Sequence, residues 1–170
     1  MKQTAGLYIH IPFCSVKCMY CDFYSITDRH NDIPVFINSL IKEIKLSKNS
    51  PKDEWRFNTI FIGGGTPSLL DPKWIEVILN TLSKTFDISS VKEITMETNP
   101  GEAPLDRLKG YKKNGVNRLS IGFQSFDPKI LKFLDRLHSP EDSIKTFKNA
   151  RSAGFDNINA DLIFNIPGQS

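Results

Sequence analysis

Gly115-Val-Asn-Arg-Leu-Ser120 and Gly154-Phe-Asp-Asn-Ile-Asn159 read alike: a glycine that stops a helical stretch, then residues that open a strand. Outward from these two junctions the same unit recurs along the chain. Strand-like stretches occupy Gly6–Phe13, Phe57–Ile62, Val91–Glu97, Asn117–Gly122 and Asn157–Phe164. Helical patterns lie between them at Pro34–Leu46, Pro72–Phe86, Ala103–Lys113 and Pro128–Ala153. At Asp71-Pro72 and Asp127-Pro128 a capping side chain precedes a proline at the first helical position, where a missing N–H is harmless. Ser139 with Asp142 resembles a capping box, which predicts that the last helical segment splits in two there. Several strands are near-continuous apolar runs, which predicts parallel strands covered on both faces. About five βα units predict an α/β fold, barrel-like or an open parallel sheet. No stretch has the composition of a linker between domains.

The 170 residues suffice for one sizeable core. A content of 39% apolar and 24% charged residues is ordinary for a soluble globular protein. The 22 basic and 19 acidic residues leave a net charge of +3, too mild to point to nucleic acid. No apolar run is long enough to cross a membrane. The opening MKQTAGLYIHIPF is too short in its apolar part, and lacks the cleavage site, of a secretory signal. A cytoplasmic location is expected, with any membrane contact made only through partners. The final IFNIPGQS stops just after an apparent strand with no closing helix, so the chain is expected to be a fragment of something longer.

In a parallel α/β barrel, chemistry sits at the C-terminal ends of the strands. Here a cysteine loop follows the first strand and Gly63-Gly64-Gly65-Thr66-Pro67 follows the second. Glu97 ends the third, Gln124 follows the fourth and Asp161 lies within the fifth. One polar residue at a strand end is unremarkable. Useful groups at all of them converge on a site.

The only three cysteines are Cys14, Cys18 and Cys21, in HIPFCSVKCMYCDF. CxxxCxxC places three thiolates on one loop, enough for three corners of a [4Fe–4S] cube with one iron left open for chemistry. Zinc is the rival, because His10 can complete a Cys3His tetrahedron. The pleat fixes the direction of His10, however, and the spacing favours the cluster. Clustered cysteines without a targeting segment fit a reducing compartment better than a disulfide framework. In the glycine run, bare backbone lets a ligand approach amides that can hold a carboxylate or phosphate. GGGTP lacks the lysine of a Walker loop and the spacing of a dinucleotide fingerprint, so neither nucleoside triphosphate nor NAD is supported. A tight βα turn explains it equally well. Glu97, Gln124, Arg136 and Asp161 are each compatible with surface or salt-bridge roles, and Arg136 with a solvated helix end.

Six segments stand in order from Tyr8 to Gln169: LYIHIPFCSVKCMYCDF, FIGGGTPSLL, ETNPGE, RLSIGFQSFD, LDRLHS and DLIFNIPGQ. In them the chain resembles the HemN/HemW group of radical S-adenosylmethionine (SAM) proteins. That group comprises oxygen-independent coproporphyrinogen III oxidases and related heme chaperones. The resemblance implies a partial (β/α)6 TIM-like barrel, here ending after about the fifth strand. Residues 1–170 would form one radical SAM core domain, with a C-terminal domain beyond Ser170. It implies that Cys14, Cys18 and Cys21 ligate a [4Fe–4S] cluster whose fourth iron is chelated by SAM. Tyr8, Gly64 and Glu97 match the positions that help bind that SAM. Tyr20, Gly65, Thr66, Gln124, Arg136 and Asp161 match a second SAM pocket found in the oxidases. There the carboxylates suit ribose hydroxyls or an ammonium, and Arg136 suits a carboxylate.

One departure divides the group. The oxidases read C-x-F-C-G-C, whereas this chain reads Cys18-Met-Tyr-Cys21-Asp22-Phe23, with Phe23 where the extra cysteine would stand. The YCDF ending and the early first strand resemble the heme chaperones. The implied function is a heme chaperone that passes heme to acceptor proteins. Oxidative decarboxylation of a porphyrinogen is the alternative, and a zinc-stabilised binding module a third. Implied partners are heme or porphyrinogen, heme-acceptor proteins, and an electron donor such as flavodoxin or ferredoxin. The heme-binding region would lie beyond Ser170. His10 and His138 are imidazole donors by type alone, and local hydrogen bonding is the simpler reading of both.

Overall fold

The structure, a computed structural model, describes residues 3–49 and 55–169. Five strands form one parallel sheet: β1 (Gln3–Ile11), β2 (Trp55–Gly64), β3 (Glu93–Thr98), β4 (Arg118–Gln124) and β5 (Asn157–Leu162). Their spatial order is β1-β2-β3-β4-β5. Each strand therefore lies beside its predecessor, as in the wall of a barrel. A doubly wound sheet would reverse its order at a switch point. The crossovers carry α1 (Ile33–Leu46), α2 (Pro72–Thr85), α3 (Leu105–Lys113), α4 (Pro128–Phe133) and α5 (Pro140–Ser152).

The helices start where local chemistry places them. Asp71 and Asp127 accept from the backbone N–H groups of Lys73 and Lys129, at 3.0 and 2.7 Å. Ser139 and Asp142 form the reciprocal capping box, so the last helical stretch is two helices joined through Leu134–Ser139. Gly115 and Gly154, at φ +102° and +90°, end α3 and α5 in the left-handed region that favours glycine. Nearly every strand boundary moves slightly. β1 ends at Ile11, because Pro12 has no N–H to continue the ladder; Phe13 instead makes an isolated bridge to Ile26. β3 begins at Glu93, after a turn in which the Val91 N–H donates to the Ile88 carbonyl. β5 ends at Leu162.

The expectation that the strands are covered on both faces is met in β4, where Leu119 through Phe123 are all buried, but the register shows that the two faces of the sheet differ in character. Tyr8 pairs with Phe61 and Phe61 with Thr95, Glu97 with Ser120, Ser120 with Asn159, and Gly122 with Asp161. Side chains alternate between faces. These polar-rich positions therefore share one face, and Ile9, Ile11, Ile60, Ile62, Met96, Leu119 and Ile121 share the other. The apolar face is buried with Ile37, Ile75, Ile78, Leu82, Leu108 and Tyr111 from the helices in a single core. Its strands are not apolar on both sides, because the other face lines a cavity. β5 is the exposed member of the sheet, with Leu162 59% accessible. Among the described residues no helix is long and apolar enough to cross a membrane.

Candidate functional site

The C-terminal ends of the strands open onto a cavity of about 710 Å³. It is lined by Cys14, Cys18, Tyr20, Cys21, Gly64, Gly65, Thr66, Glu97, Gln124, Arg136 and Asp161. Tyr8 alone of the residues singled out from the sequence does not line it. Tyr8 pairs with Phe61 at the same level of the sheet and stacks on the Phe61 ring at 6.1 Å. Its hydroxyl lies 3.0 Å from His10 Nδ1. Phe61, its partner across the ladder, reaches the cavity instead.

The cysteine loop leaves β1 at Pro12 and is closed at its base by two backbone bonds. The Ile26 N–H donates to the Pro12 carbonyl (2.8 Å) and the Cys14 N–H to the Ile26 carbonyl (3.0 Å). No cysteine is in a disulfide; Cys14 and Cys18 are buried and Cys21 is half-buried. Burial pushes the Cys14 thiol up from its ordinary range, opposed by hydrogen bonds from Thr66 and Ser25. The Thr66 hydroxyl donates toward Cys14 Sγ at 3.6 Å, and Arg136 Nη1 toward Cys18 Sγ at 3.7 Å.

Among the described residues no three His, Cys, Asp or Glu side chains converge where a single metal ion could be held. His10 is also committed elsewhere, with Nδ1 on Tyr8 and Nε2 2.9 Å from the Tyr24 carbonyl. That geometry does not support the Cys3His zinc alternative. Three separated thiols round one cavity suit a group with several metal corners, in which each cysteine takes a different iron. The donors aimed at two of the sulfurs suit such a group as well. The residues present fit a [4Fe–4S] cluster.

The glycine run corrects the reading of free backbone amides. The Gly64 N–H donates to Glu97 Oε2 (2.9 Å), the Gly65 N–H to the Ile11 carbonyl (2.7 Å) and the Thr66 N–H to the Phe13 carbonyl (2.7 Å). All three amides are satisfied within the protein, so they offer no anion cradle. The glycines instead permit close approach. A Cβ on Gly65 would lie 2.6 Å from the Phe13 carbonyl oxygen and 2.9 Å from Cys14 Sγ. A Cβ on Gly64, at φ +117°, would lie 2.6 Å from the His10 ring.

Glu97 and Asp161 are two of the carboxylates that line the cavity. Burial pushes the Glu97 carboxyl up; the Gly64 N–H opposes this and the Asp161 charge adds to it. Asp161 is aimed by two neighbours: Ser120 Oγ donates to its Oδ2 (2.9 Å) and Asn159 Nδ2 to its Oδ1 (2.6 Å). Gln124 ends β4 at φ +62°, just past a register shift after Gly122. That left-handed bulge re-aims the side chain at a sheet edge beside the cavity. Burial raises the Tyr20 phenol, while the Arg136 guanidinium beside it pulls the other way.

Arg136 is not on a solvated helix end. It lies three residues past α4, half-buried, with Nη2 donating to Asn99 Oδ1 (2.6 Å) and to the Gly122 carbonyl (3.0 Å). His138 is buried, and its Nε2 lies 3.0 Å from the Phe123 carbonyl, which accounts for both histidines as local hydrogen-bonders. Asn99 and Glu102 are cavity residues with no role read from the sequence. Asn99 Nδ2 donates to Thr66 Oγ1 (3.0 Å) and Glu102 Oε2 (2.9 Å), and Ser15 Oγ donates to Glu102 Oε1 (2.8 Å). Both stand in ETNPGE, just past the end of β3, and that position was the available signal.

A family model described as the radical SAM superfamily matches residues 8–170. A heme chaperone HemW of Lactococcus lactis is 37% identical over 170 residues, covering 100% of this chain and 44% of the relative. A heme chaperone HemW of Escherichia coli is 40% identical over 170 residues, covering 97% and 44%. The solved structure of the coproporphyrinogen III oxidase HemN from Escherichia coli, a radical SAM enzyme, superposes with a TM-score of 0.88 at 29% identity. It covers 99% of this chain and 39% of that one. The architecture is thus the partial TIM-like barrel of radical SAM proteins. The chain spans less than half the length of these relatives.

Proposed function

This chain belongs to the radical SAM superfamily, and on that premise we propose that it holds a [4Fe–4S] cluster and SAM as part of a heme chaperone. The observation that carries the reading is that three unpaired cysteines and the polar ends of β2–β5 open onto one cavity. Cys14, Cys18 and Cys21 hold the cluster through three of its irons. Glu97 meets the bound SAM with a half-buried carboxylate oriented by the Gly64 N–H, and Gly65 belongs with the residues that would meet a second SAM. Tyr8 acts from behind Phe61 rather than in the cavity. When bound, such a cluster supplies a single electron and SAM the group that accepts it.

Tyr20, Thr66, Gln124, Arg136 and Asp161 line the remainder of the cavity, where a second nucleoside ligand would be met. Asp161 is oriented for hydroxyl or ammonium donors by Ser120 and Asn159. The heme-chaperone reading is supported by the HemW relatives and by Phe23, which stands where the oxidases carry a further cysteine and is 66% exposed. On this reading the protein works in the cytoplasm. Heme is the cargo, heme-acceptor proteins receive it, and a flavodoxin or ferredoxin donates electrons.

The test uses anaerobically reconstituted protein with verified iron and sulfide. Supplied with SAM, a strong reductant and coproporphyrinogen III, it is expected to form no protoporphyrinogen by mass. Supplied with heme, it is expected to bind it and release it to an apo-acceptor. Porphyrinogen turnover would overturn the chaperone reading in favour of the oxidase.

A further inference from the structure

The Arg136 guanidinium, on the wall of the cavity, is turned toward a cysteine. Its Nη2 is held by Asn99 Oδ1 at 2.6 Å and the Gly122 carbonyl at 3.0 Å, while Nη1 reaches Cys18 Sγ at 3.7 Å. Nε is closed off from solvent without a partner, so the head sits in a tight protein enclosure. Asn99 is itself fixed. Both its donor contacts are made, to Thr66 at 3.0 Å and Glu102 at 2.9 Å, which leaves its carbonyl oxygen as the end that meets the guanidinium. Gly122 leaves room for that oxygen, since a Cβ there would lie 3.2 Å from Asn99 Oδ1. An arginine keeps its proton throughout the working pH range. A permanent cation with an N–H donor is therefore fixed beside one thiol of the three.

We propose that Arg136, aimed by Asn99, donates to the Cys18 sulfur and raises the reduction potential of the iron–sulfur group that the three cysteines hold. The inference rests on the cluster assignment made under the proposed function. Reduction adds one electron and breaks no bond. The added negative charge spreads onto the ligand sulfurs, where a donor and a fixed cation stabilise it more than they stabilise the oxidised state. Cys14 receives only a neutral hydroxyl donor, from Thr66 at 3.6 Å. The stronger, charge-assisted bond is the one to Cys18. Arg136 is a positioning and tuning residue, and Asn99 acts through it.

The experiment is a spectroelectrochemical titration of the reconstituted protein without SAM, with the reduced cluster read by electron paramagnetic resonance. Arg136→Gln, loaded to normal iron and sulfide, is expected to show a ratio of reduced to oxidised cluster about tenfold lower at the wild-type midpoint. For a one-electron couple that is a downward shift of about 59 mV. Arg136→Lys keeps the charge but cannot span Asn99 and Cys18 at once, so its shift is expected to be smaller. Asn99→Ala leaves the arginine but not its aim, and is expected to move the potential the same way. An unchanged potential in loaded Arg136→Gln overturns the proposal. Should that variant fail to take up iron, Asn99→Ala decides, and an unchanged potential there overturns it equally. A shift in Arg136→Gln with none in Asn99→Ala overturns the role of Asn99. Wild-type protein that takes up no iron or sulfide defeats the cluster assignment itself, a result distinct from an unmoved potential.

Discussion

The cysteine loop, residues 12–28, and the opposite wall, from Asn99 through β4 to Arg136, border the same cavity but are ordered by different means. The loop contains no helix or strand, only the bridge between Phe13 and Ile26. Beyond its base it is held by the Cys21 N–H on the Cys18 carbonyl and by Lys17 Nζ on the Phe23 carbonyl and Ser25 Oγ. Met19, Phe23 and Tyr24 are exposed along it. The opposite wall is a buried strand whose polar neighbours are tied to one another through Asn99, Glu102, Thr66 and Arg136. One wall is organised by the chain itself. The other has no regular element of its own and is anchored to its surroundings, by Ser15 on Glu102, His10 on the Tyr24 carbonyl and the Thr66 N–H on the Phe13 carbonyl. A site built this way keeps one side rigid for orientation and one side without regular structure to admit a large cofactor.

The largest effect expected of any single change is in the loop. Cys18→Ala should abolish iron and sulfide uptake while costing the fold only on the order of 1 kcal/mol, since the site is small and at the edge of the core. Normal iron and sulfide in that variant would refute the ligand assignment. Removing iron from loaded protein with a chelator sharpens the contrast further. Hydrogen exchange at the Cys14 and Ile26 amides should accelerate at least about tenfold, while Leu119 and Ile121 in β4 stay unchanged. Equal acceleration on both walls would erase the distinction drawn here.

Glu97→Gln is next in size. Loss of the charge should weaken SAM binding about tenfold, as expected for one charge-assisted hydrogen bond. The same change should stabilise the ligand-free protein near pH 8. Burial raises the Glu97 carboxyl from its ordinary value of 4.5, so the native state holds its proton to higher pH than the unfolded chain does. Stability is therefore lost as pH rises from that value through the folded one, and glutamine removes the loss. A lower melting temperature together with unchanged SAM affinity would contradict both halves.

The smallest effect belongs to His138. Burial, and then the Arg136 charge, lower its pKa from 6.5, against the Phe123 carbonyl and Asp142. The unfolded chain then takes up its proton first as pH falls. Stability present above pH 6.5 should decline as pH drops through the folded value, by on the order of 1 kcal/mol. His138→Gln should flatten that decline in urea midpoints measured at pH 7.5 and 5.5.

Much of the site was legible because its residues sit at strand ends in a repeating unit. Glu97, Gln124 and Asp161 could be placed by counting from the glycines, and all three line the cavity. Tyr8 was brought in by resemblance; it stacks on Phe61, which lines the cavity while Tyr8 does not. The glycine run shows a different limit. Its composition predicts bare amides, but whether an amide is bare depends on what lies opposite, and the carbonyls of Ile11 and Phe13 lie opposite Gly65 and Thr66. Asn99 was missed for the same reason. Nothing in an isolated asparagine announces that Thr66 and Arg136, both distant in sequence, will meet it.

The amino-acid sequence by itself determined what depends on neighbours along the chain. The caps at Asp71, Asp127 and Ser139, the stops at Gly115 and Gly154, and three thiols within eight positions all follow from short-range sterics and hydrogen bonding. Tertiary structure alone decided which strand face is polar, that the loop amides are closed, and that Arg136 reaches both Asn99 and Cys18. Those outcomes depend on the register of parallel strands, and a long crossover can bring two strands together without its own sequence fixing their alignment.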